Sequence, residues 1–378
     1  MPDFDNYLMT LRDLVPELSP QHAHAAVAAG ALLLDIRDQD ETASGTPVGA
    51  THVPRAFLEP RIGRYAQRAD QAVILLCASG TRSLMGAATL RQMGYGEVSS
   101  VRGGYSAWKE AGLPVIVPER LSAREQQRYA RHLSIPEVGE AGQLKLKRAR
   151  VLLIGCGGLG SPVALYLAAA GVGTLTLLDF DVVDETNLQR QVLFQEADIG
   201  TPKAQAARAH LMQLNSHIGI HAVVGRFDYG NAAELVPQHD IVVDATDNFT
   251  ARYSIGDACV KYGKPLVHAS IYRFDGQVSV FLPDGPCYRC LYPEAPPKEL
   301  APSCVEAGVL GVLPGVMGTL QAVECLKLIL GVGAPLVGTM LAYDALDSSF
   351  THLDYHANPL CAHFTVAPGK MVKDGGIF

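Results

Sequence analysis

The sequence predicts two α/β domains in tandem, each a parallel sheet covered by helices. Three observations carry that prediction. Short apolar, β-branched runs alternate with stretches of helical periodicity, the pattern of strand–helix–strand units. One run, Val151-Leu152-Leu153-Ile154, leads directly into Gly155-Cys156-Gly157-Gly158-Leu159-Gly160 and then into an apolar helix near Ser161-Pro162. A chain of 378 residues is also long for one domain, so two is the prior.

Composition narrows the class. Hydrophobic residues make up 48% and charged residues 18%, which suits a soluble chain with sizeable cores. A net charge of −7 gives no basic footprint for nucleic acid. Met1-Pro2-Asp3-Phe4-Asp5 has neither a basic nor an apolar region, so no secretory leader is read. Eight cysteines without such a leader point to a reducing, cytoplasmic compartment, where thiols serve metals or chemistry. The stretch from Val309 to Leu330 is apolar but holds Pro314, Glu324 and Lys327, so it reads as a core or interface helix and no membrane partner is expected.

In the N-terminal part, Ala31 to Arg37 and Ala72 to Cys77 read as buried strands. Leu84, Met85, Ala88 and Leu90 fall near helical spacing between Arg82 and Met93, with Gly94 as a stop. The informative piece is Cys77-Ala78-Ser79-Gly80-Thr81-Arg82-Ser83, a cysteine at a strand end followed by a small-residue loop and a helix. Such a loop wraps N–H groups around the sulfur, and Arg82 with the helix N-terminus would favour the thiolate. The plainer alternative is a buried structural cysteine. Together with Asp35-Ile36-Arg37, Thr51-His52-Val53-Pro54 and Arg102-Gly103-Gly104-Tyr105-Ser106-Ala107-Trp108, this loop resembles a rhodanese domain. The resemblance implies a sulfurtransferase in which Cys77 carries a persulfide loaded by an upstream persulfide or thiosulfate donor. Related phosphatases have one more residue between Cys and Arg; four residues separate Cys77 from Arg82, so the cradle suits sulfur. Arg55 stands where family members have a small residue.

Pro118 to Ser122 reads as a linker, and Ser122 with Glu125 has capping-box spacing for a helix carrying Arg124, Arg128 and Arg131. The glycine loop that follows Ile154 is a nucleotide signature: Gly155, Gly157, Gly158 and Gly160 allow a tight turn and close approach to a phosphate at the helix N-terminus. Asp179, ending a second strand, sits where a ribose hydroxyl would be held. This alone leaves NAD, FAD and ATP open. Past it come Asp181, Asn187, Arg190, Gln191 and Lys203, a set suited to a triphosphate more than to a dinucleotide. Asp240 to Asn248 is a strand whose end presents acids; Asp247 is a candidate magnesium ligand, the alternative being that Asp247 and Asn248 cap the helix running to Tyr262.

With Arg128-Tyr129-Ala130-Arg131-His132, Ala245-Thr246-Asp247-Asn248, Cys287-Tyr288-Arg289-Cys290 and Cys304-Val305-Glu306-Ala307-Gly308, these motifs resemble the MoeB/ThiF family from about Leu121 to His363. The resemblance implies a Rossmann-like doubly wound fold, ATP and Mg2+ as co-reactants, and adenylation of the C-terminal glycine of a small ubiquitin-like sulfur-carrier protein ending in Gly-Gly. It implies Arg190 and Lys203 on phosphates, Asp247 at the magnesium and the reacting carboxylate, and a homodimer in which Arg131 serves the other copy's site. Cys304 by resemblance forms a covalent link to the carrier, or is incidental. Cys287 and Cys290 have zinc-ligand spacing. A second Cys pair completes the family's site; here Cys361 is present, Phe364 takes the fourth position and His363 lies one residue early. A Zn2+ site of three cysteines and His363, or a metal-free remnant, are the alternatives. Cys156, Cys259 and Cys325 read as core, and Gly375-Gly376 as tail.

The expected organisation is a rhodanese-like domain over 15–117, a linker over 118–122, a MoeB/ThiF-like adenylating domain over 123–365 and a tail over 366–378. The rivals are an NAD-dependent oxidoreductase with a rhodanese appendage and a non-catalytic scaffold.

Overall fold

A computed structural model describes residues 3–296, 308–361 and 363. The chain divides into two compact units, Met1–Glu119 and Arg120–Phe378.

The first unit contributes β1 (Glu17–Leu18), β2 (Leu32–Asp35), β3 (Thr46–Pro47), β4 (Ala50–His52), β5 (Val73–Leu76), β6 (Val98–Val101) and β7 (Val115–Ile116). Five of them form a parallel sheet in the order β1-β6-β5-β2-β4, and β3 pairs antiparallel with β7. The central strand β5 is apolar and buried at every position because both sheet faces are covered. Leu34, Val73 and Leu75 pack on one face with Leu84 and Leu90 of the helix Thr81–Gln92; Leu33, Ile74 and Leu76 pack on the other with Trp108.

The second unit contributes β8 (Arg150–Ile154), β9 (Thr174–Asp179), β10 (Gly219–Val224), β11 (Ile241–Asp244), β12 (Leu266–Tyr272), β13 (Asp275–Phe281), β14 (Thr339–Asp344) and β15 (Ser349–Asp354). Their order is β10-β9-β8-β11-β12-β13-β14-β15. The run from β10 to β12 is parallel and the rest antiparallel. The chain winds from β8 outward to β10, then returns to place β11 on the other side of β8. That reversal opens a crevice at the carboxyl ends of β8 and β11, where doubly wound sheets bind ligands.

Two local findings bear on the sequence reading. The helix Leu313–Leu330 is long and apolar enough to cross a membrane by composition, yet Leu313, Met317 and Cys325 are fully buried in the core. Its Gly318 lies so close to Leu159 that a Cβ there would sit 2.4 Å from the Leu159 carbonyl oxygen, which packs this helix against the glycine loop. The helix capped by Ser122 and Glu125 forms its full capping box but ends at Arg128, so Arg131 lies on a separate short helix, Ala130–Leu133. The break sets Tyr129 in the core, where its hydroxyl accepts from Asn215 Nδ2 at 2.9 Å.

Candidate functional site

Gly155 leaves β8 with φ of +94°, a conformation that favours glycine, and a Cβ there would lie 2.7 Å from the Ala245 carbonyl oxygen. Gly160 starts the helix Gly160–Ala170 so close to the strand that a Cβ would be 2.0 Å from the Gly155 carbonyl oxygen. These two glycines close the turn. Gly155 also lines a cavity of about 740 Å³ above the sheet, together with Gly157 and Gly158, whereas Gly160 does not. A Cβ on Gly157 would meet only Gln191 Nε2, at 3.6 Å. Gly160, predicted to touch the nucleotide, is therefore a packing residue, displaced from the cavity by the helix it begins.

The loops after β8, β9, β10 and β11 supply the cavity walls. Asp179 is buried at its floor; Oδ2 accepts the Cys156 N–H at 2.7 Å and Oδ1 the Asp181 N–H at 2.8 Å. Burial pushes its carboxyl up from the ordinary value, against those two donors. Each oxygen keeps a lone pair for a hydroxyl. Lys203, first residue of the helix Lys203–Leu214, is buried with Nζ 3.3 Å from Asp181 Oδ2. Arg190 lines the same wall and donates Nη1 to the Thr186 carbonyl at 3.0 Å. Gln191 is buried beside it, and its Oε1 has no hydrogen-bond partner. Asn187 also lines the wall, while its side chain caps the turn at Asp184.

At the opposite wall the capping question resolves. Asn248 Oδ1 accepts the Ala251 N–H at 2.9 Å and starts the helix Phe249–Tyr262, while Asp247 stands exposed at the cavity. Behind them Asp244 is fully buried, held by His268 Nδ1 at 2.8 Å and by Thr246. Burial opposes its charge, but His268 and Thr246 hold its carboxyl below the ordinary value; burial also lowers His268.

Two cations in this cavity escaped the sequence reading. Arg226 lies with its guanidinium carbon 3.7 Å from the centre of the Phe180 ring, and Arg252 donates Nη2 to the Thr246 carbonyl at 3.1 Å. Arg226 follows β10 just as Gly155 follows β8, so its place at a strand's carboxyl end was the available signal. Arg131 is exposed and is not part of this wall. Cys304 lies outside the described residues.

In the first unit, Cys77 directly follows β5 and is fully buried. Its Sγ accepts the N–H of Gly80 at 3.2 Å and of Ser83 at 3.3 Å, and the Ser83 hydroxyl at 3.4 Å; Ser100 donates to Ser83 Oγ at 2.8 Å. The Gly103-Gly104 turn closes over this loop: Tyr105 N–H donates to the Cys77 carbonyl at 2.8 Å, and a Cβ on Gly104 would sit 2.3 Å from that oxygen. Arg82 is gripped by Glu41 through two bonds, 2.8 and 2.5 Å, with Asp38 at 3.5 Å. Arg37 is a brace, not a ligand-facing cation: buried, paired with Asp35 and stacked 3.7 Å from the Tyr105 ring centre.

A third cluster lies in the second unit. Cys287 Sγ is 3.7 Å from Cys290 Sγ and 3.5 Å from Cys361 Sγ, and all three sulfurs lie within 4.8 Å of one another. A tetrahedral site with zinc–sulfur bonds of about 2.3 Å has edges of about 3.8 Å, so this spacing fits the ion. His363 Nδ1 lies 3.2 Å from Cys287 Sγ, beside this set of three rather than within its 4.8 Å span. Cys290 sits on a one-turn helix, Tyr288–Leu291. Burial pushes the Cys287 thiol up to about 12, with Cys361 adding to the effect. Phe364 lies outside the described residues. Cys156, Cys259 and Cys325 are core, and burial raises each thiol.

These three sites can be set against known proteins. Residues 129–363 match the ThiF family, more than half of the chain. The chain belongs to the ThiF family. Residues 19–111 match the rhodanese-like domain, so the first unit carries that domain ahead of the ThiF portion. Sulfur carrier protein adenylyltransferase of Thermus thermophilus is 50% identical over 248 residues, 64% of this chain and 92% of that protein. Adenylyltransferase and sulfurtransferase MOCS3 of Mus musculus is 48% identical over 242 residues, 64% of this chain and 53% of that protein. Among solved structures, the microcin C7 biosynthetic enzyme MccB in complex with N-formylated MccA has a TM-score of 0.57 at 25% identity, covering 69% of this chain and 80% of that one.

Proposed function

We propose that this chain adenylates the C-terminal glycine of a small ubiquitin-like sulfur-carrier protein ending in Gly-Gly, and that its rhodanese-like unit delivers the sulfur that turns this glycine into a thiocarboxylate. The single observation that carries the reading is the convergence of Arg190, Lys203, Arg226 and Arg252 on a cavity floored by a glycine loop, with Asp247 at its edge. The names of the Thermus and mouse relatives support the same chemistry.

In this reading ATP is the substrate bound in the cavity. Asp179 accepts a ribose hydroxyl, and the Gly157-Gly158 backbone with Arg190 and Lys203 holds the phosphates. Asp247 would hold Mg2+, which when bound neutralises phosphate charge. The carrier's terminal carboxylate attacks the α-phosphorus and pyrophosphate leaves. The protein's part is placement and charge neutralisation. The chain acts as a homodimer in which Arg131 of each copy serves the other's cavity. The terminal sulfur of a Cys77 persulfide then displaces AMP from the acyl carbon, and a second thiol attacks Cys77 Sγ, breaking the S–S bond so that the thiocarboxylate leaves and Cys77 remains in a disulfide with that thiol. Cys304 is the candidate for a covalent link to the carrier. The Cys287, Cys290, Cys361 and His363 set would hold Zn2+, which when bound ties the segment around Cys361 to the body of the unit.

ATP–pyrophosphate exchange measured with candidate carriers tests the proposal. Exchange that depends on a carrier with an intact Gly-Gly end is the expected result; exchange absent with every carrier, or indifferent to that end, removes it.

A further inference from the structure

The fourth ligand of the thiol cluster is out of register: His363 stands one residue before the position where a second Cys pair would end. A side chain displaced along the chain must be turned back towards the sulfurs, and an imidazole can present either nitrogen. Something must therefore select Nδ1 and fix the ring plane.

Asp257 is placed to do this. It lies on the helix Phe249–Tyr262, and His363 Nε2 is 3.3 Å from its Oδ1 while His363 Nδ1 faces Cys287 Sγ at 3.2 Å. The carboxylate is itself held from two other directions. Arg289, between the two cysteines of the first pair, donates Nε to Oδ1 at 2.6 Å and Nη2 to Oδ2 at 2.8 Å. Tyr229, whose ring lines the nucleotide cavity, donates its hydroxyl to Oδ2 at 2.8 Å. A carboxylate held by three hydrogen bonds from Arg289 and Tyr229 sets the direction of the ring that faces it. A ring that donates Nε2–H to a carboxylate must carry its lone pair on Nδ1, the atom aimed at the thiols.

We propose that Asp257 is a positioning residue for the metal ion, selecting the Nδ1-ligating tautomer of His363 and thereby making a histidine serve where a fourth thiolate would otherwise stand. This rests on the zinc reading above. It gives Arg289 and Tyr229 a part as well, since both hold the carboxylate that orients the ligand.

The test measures Zn2+ affinity of the full chain by competition with a chromophoric chelator. Asp257→Asn is expected to weaken Zn2+ binding by about 10- to 100-fold, the usual effect of removing a carboxylate behind a ligating histidine. His363→Cys needs no tautomer, so adding Asp257→Asn to His363→Cys is expected to change affinity by less than about threefold on the same scale. Equal losses in both backgrounds mean that Asp257 acts only through folding, and the proposal is overturned. A second readout uses the unmutated chain: in long-range 1H–15N spectra of the Zn2+-loaded protein, the histidine signal lost in His363→Cys must show a protonated Nε2 and a metal-shifted Nδ1. The opposite tautomer overturns the proposal even if Asp257→Asn fails to fold. A wild-type chain that takes up no Zn2+ defeats the zinc reading itself, which is a separate and recognisable outcome.

Discussion

Both units carry a strand, a small-residue loop and a helix, and they use that arrangement in opposite ways. After β5 the loop curls its own N–H groups around Cys77 Sγ, and the Gly103-Gly104 turn closes against it, leaving the sulfur fully buried. After β8 the corresponding loop leaves Gly157 and Gly158 facing a cavity of about 740 Å³. The same property of a helix start, donors without partners next to a positive dipole end, serves a resident sulfur in one case and a visiting ligand in the other. The difference lies in what fills the space. In the first unit a second glycine turn occupies it; in the second, the strand reversal at β8 and β11 keeps it open.

The largest effects come from removing the chemistry of each loop separately. Cys77→Ala is expected to abolish sulfur transfer to the carrier and to leave ATP–pyrophosphate exchange at the wild-type rate. Lys203→Ala is expected to lower exchange by about 10²- to 10³-fold, the scale seen when one donor to developing charge is lost, with Cys77 persulfide loading unchanged. Loss of both activities in either variant would show that the two loops do not work independently.

Next come the glycines, which separate closing from binding. Gly104→Ala puts a Cβ 2.3 Å from the Cys77 carbonyl oxygen at φ of +58°, and Gly160→Ala puts one 2.0 Å from the Gly155 carbonyl oxygen. Each is expected to lower the thermal midpoint of its own unit by several degrees, a destabilisation of about 2–4 kcal/mol. Gly157→Ala meets only Gln191 Nε2 at 3.6 Å, so its thermal midpoint should stay at the wild-type value while ATP affinity falls about tenfold. Calorimetry and nucleotide titration check the pair. A Gly157→Ala chain that melts early while binding ATP normally would reverse the assignment of the two kinds of glycine.

Much of this contrast was legible in the chain itself. Cys77, the glycine loop, Asp179 and Lys203 stand at strand ends and helix starts, and apolar runs mark the strands themselves. The thiol cluster was legible in part: Cys287 and Cys290 are marked by their local spacing, and Cys361 only by the family resemblance. Arg226 and Arg252 were not, because nothing near them in sequence distinguishes a cavity-facing arginine from a solvated one; only the convergence of loops from four strands does. Gly160 was assigned to the ligand because the glycine pattern does not say which of its members packs and which binds. Glu41 escaped for a related reason. It meets Arg82 across 41 residues of chain, and no local pattern marks that pairing.

That pairing yields the smallest and most specific prediction. The bonds from Arg82 hold the Glu41 carboxyl down to about 2, below its ordinary 4.5, against a smaller opposing effect of burial. A carboxyl whose folded value is depressed adds stability that is fully present above its unfolded value. That stability is lost as pH falls towards the folded value. The stability of the first unit should therefore fall as pH drops from about 4.5 to about 2. The chain has a single tryptophan, Trp108, buried in the first unit, so its fluorescence reports that unit alone. Glu41→Gln should lower the melting midpoint modestly near neutral pH and flatten its fall in this acid window. Parallel acid slopes for the two chains would show that Glu41 does not tie down Arg82 in solution. The first loop would then carry a free guanidinium at its mouth and resemble the second more closely than the structure indicates.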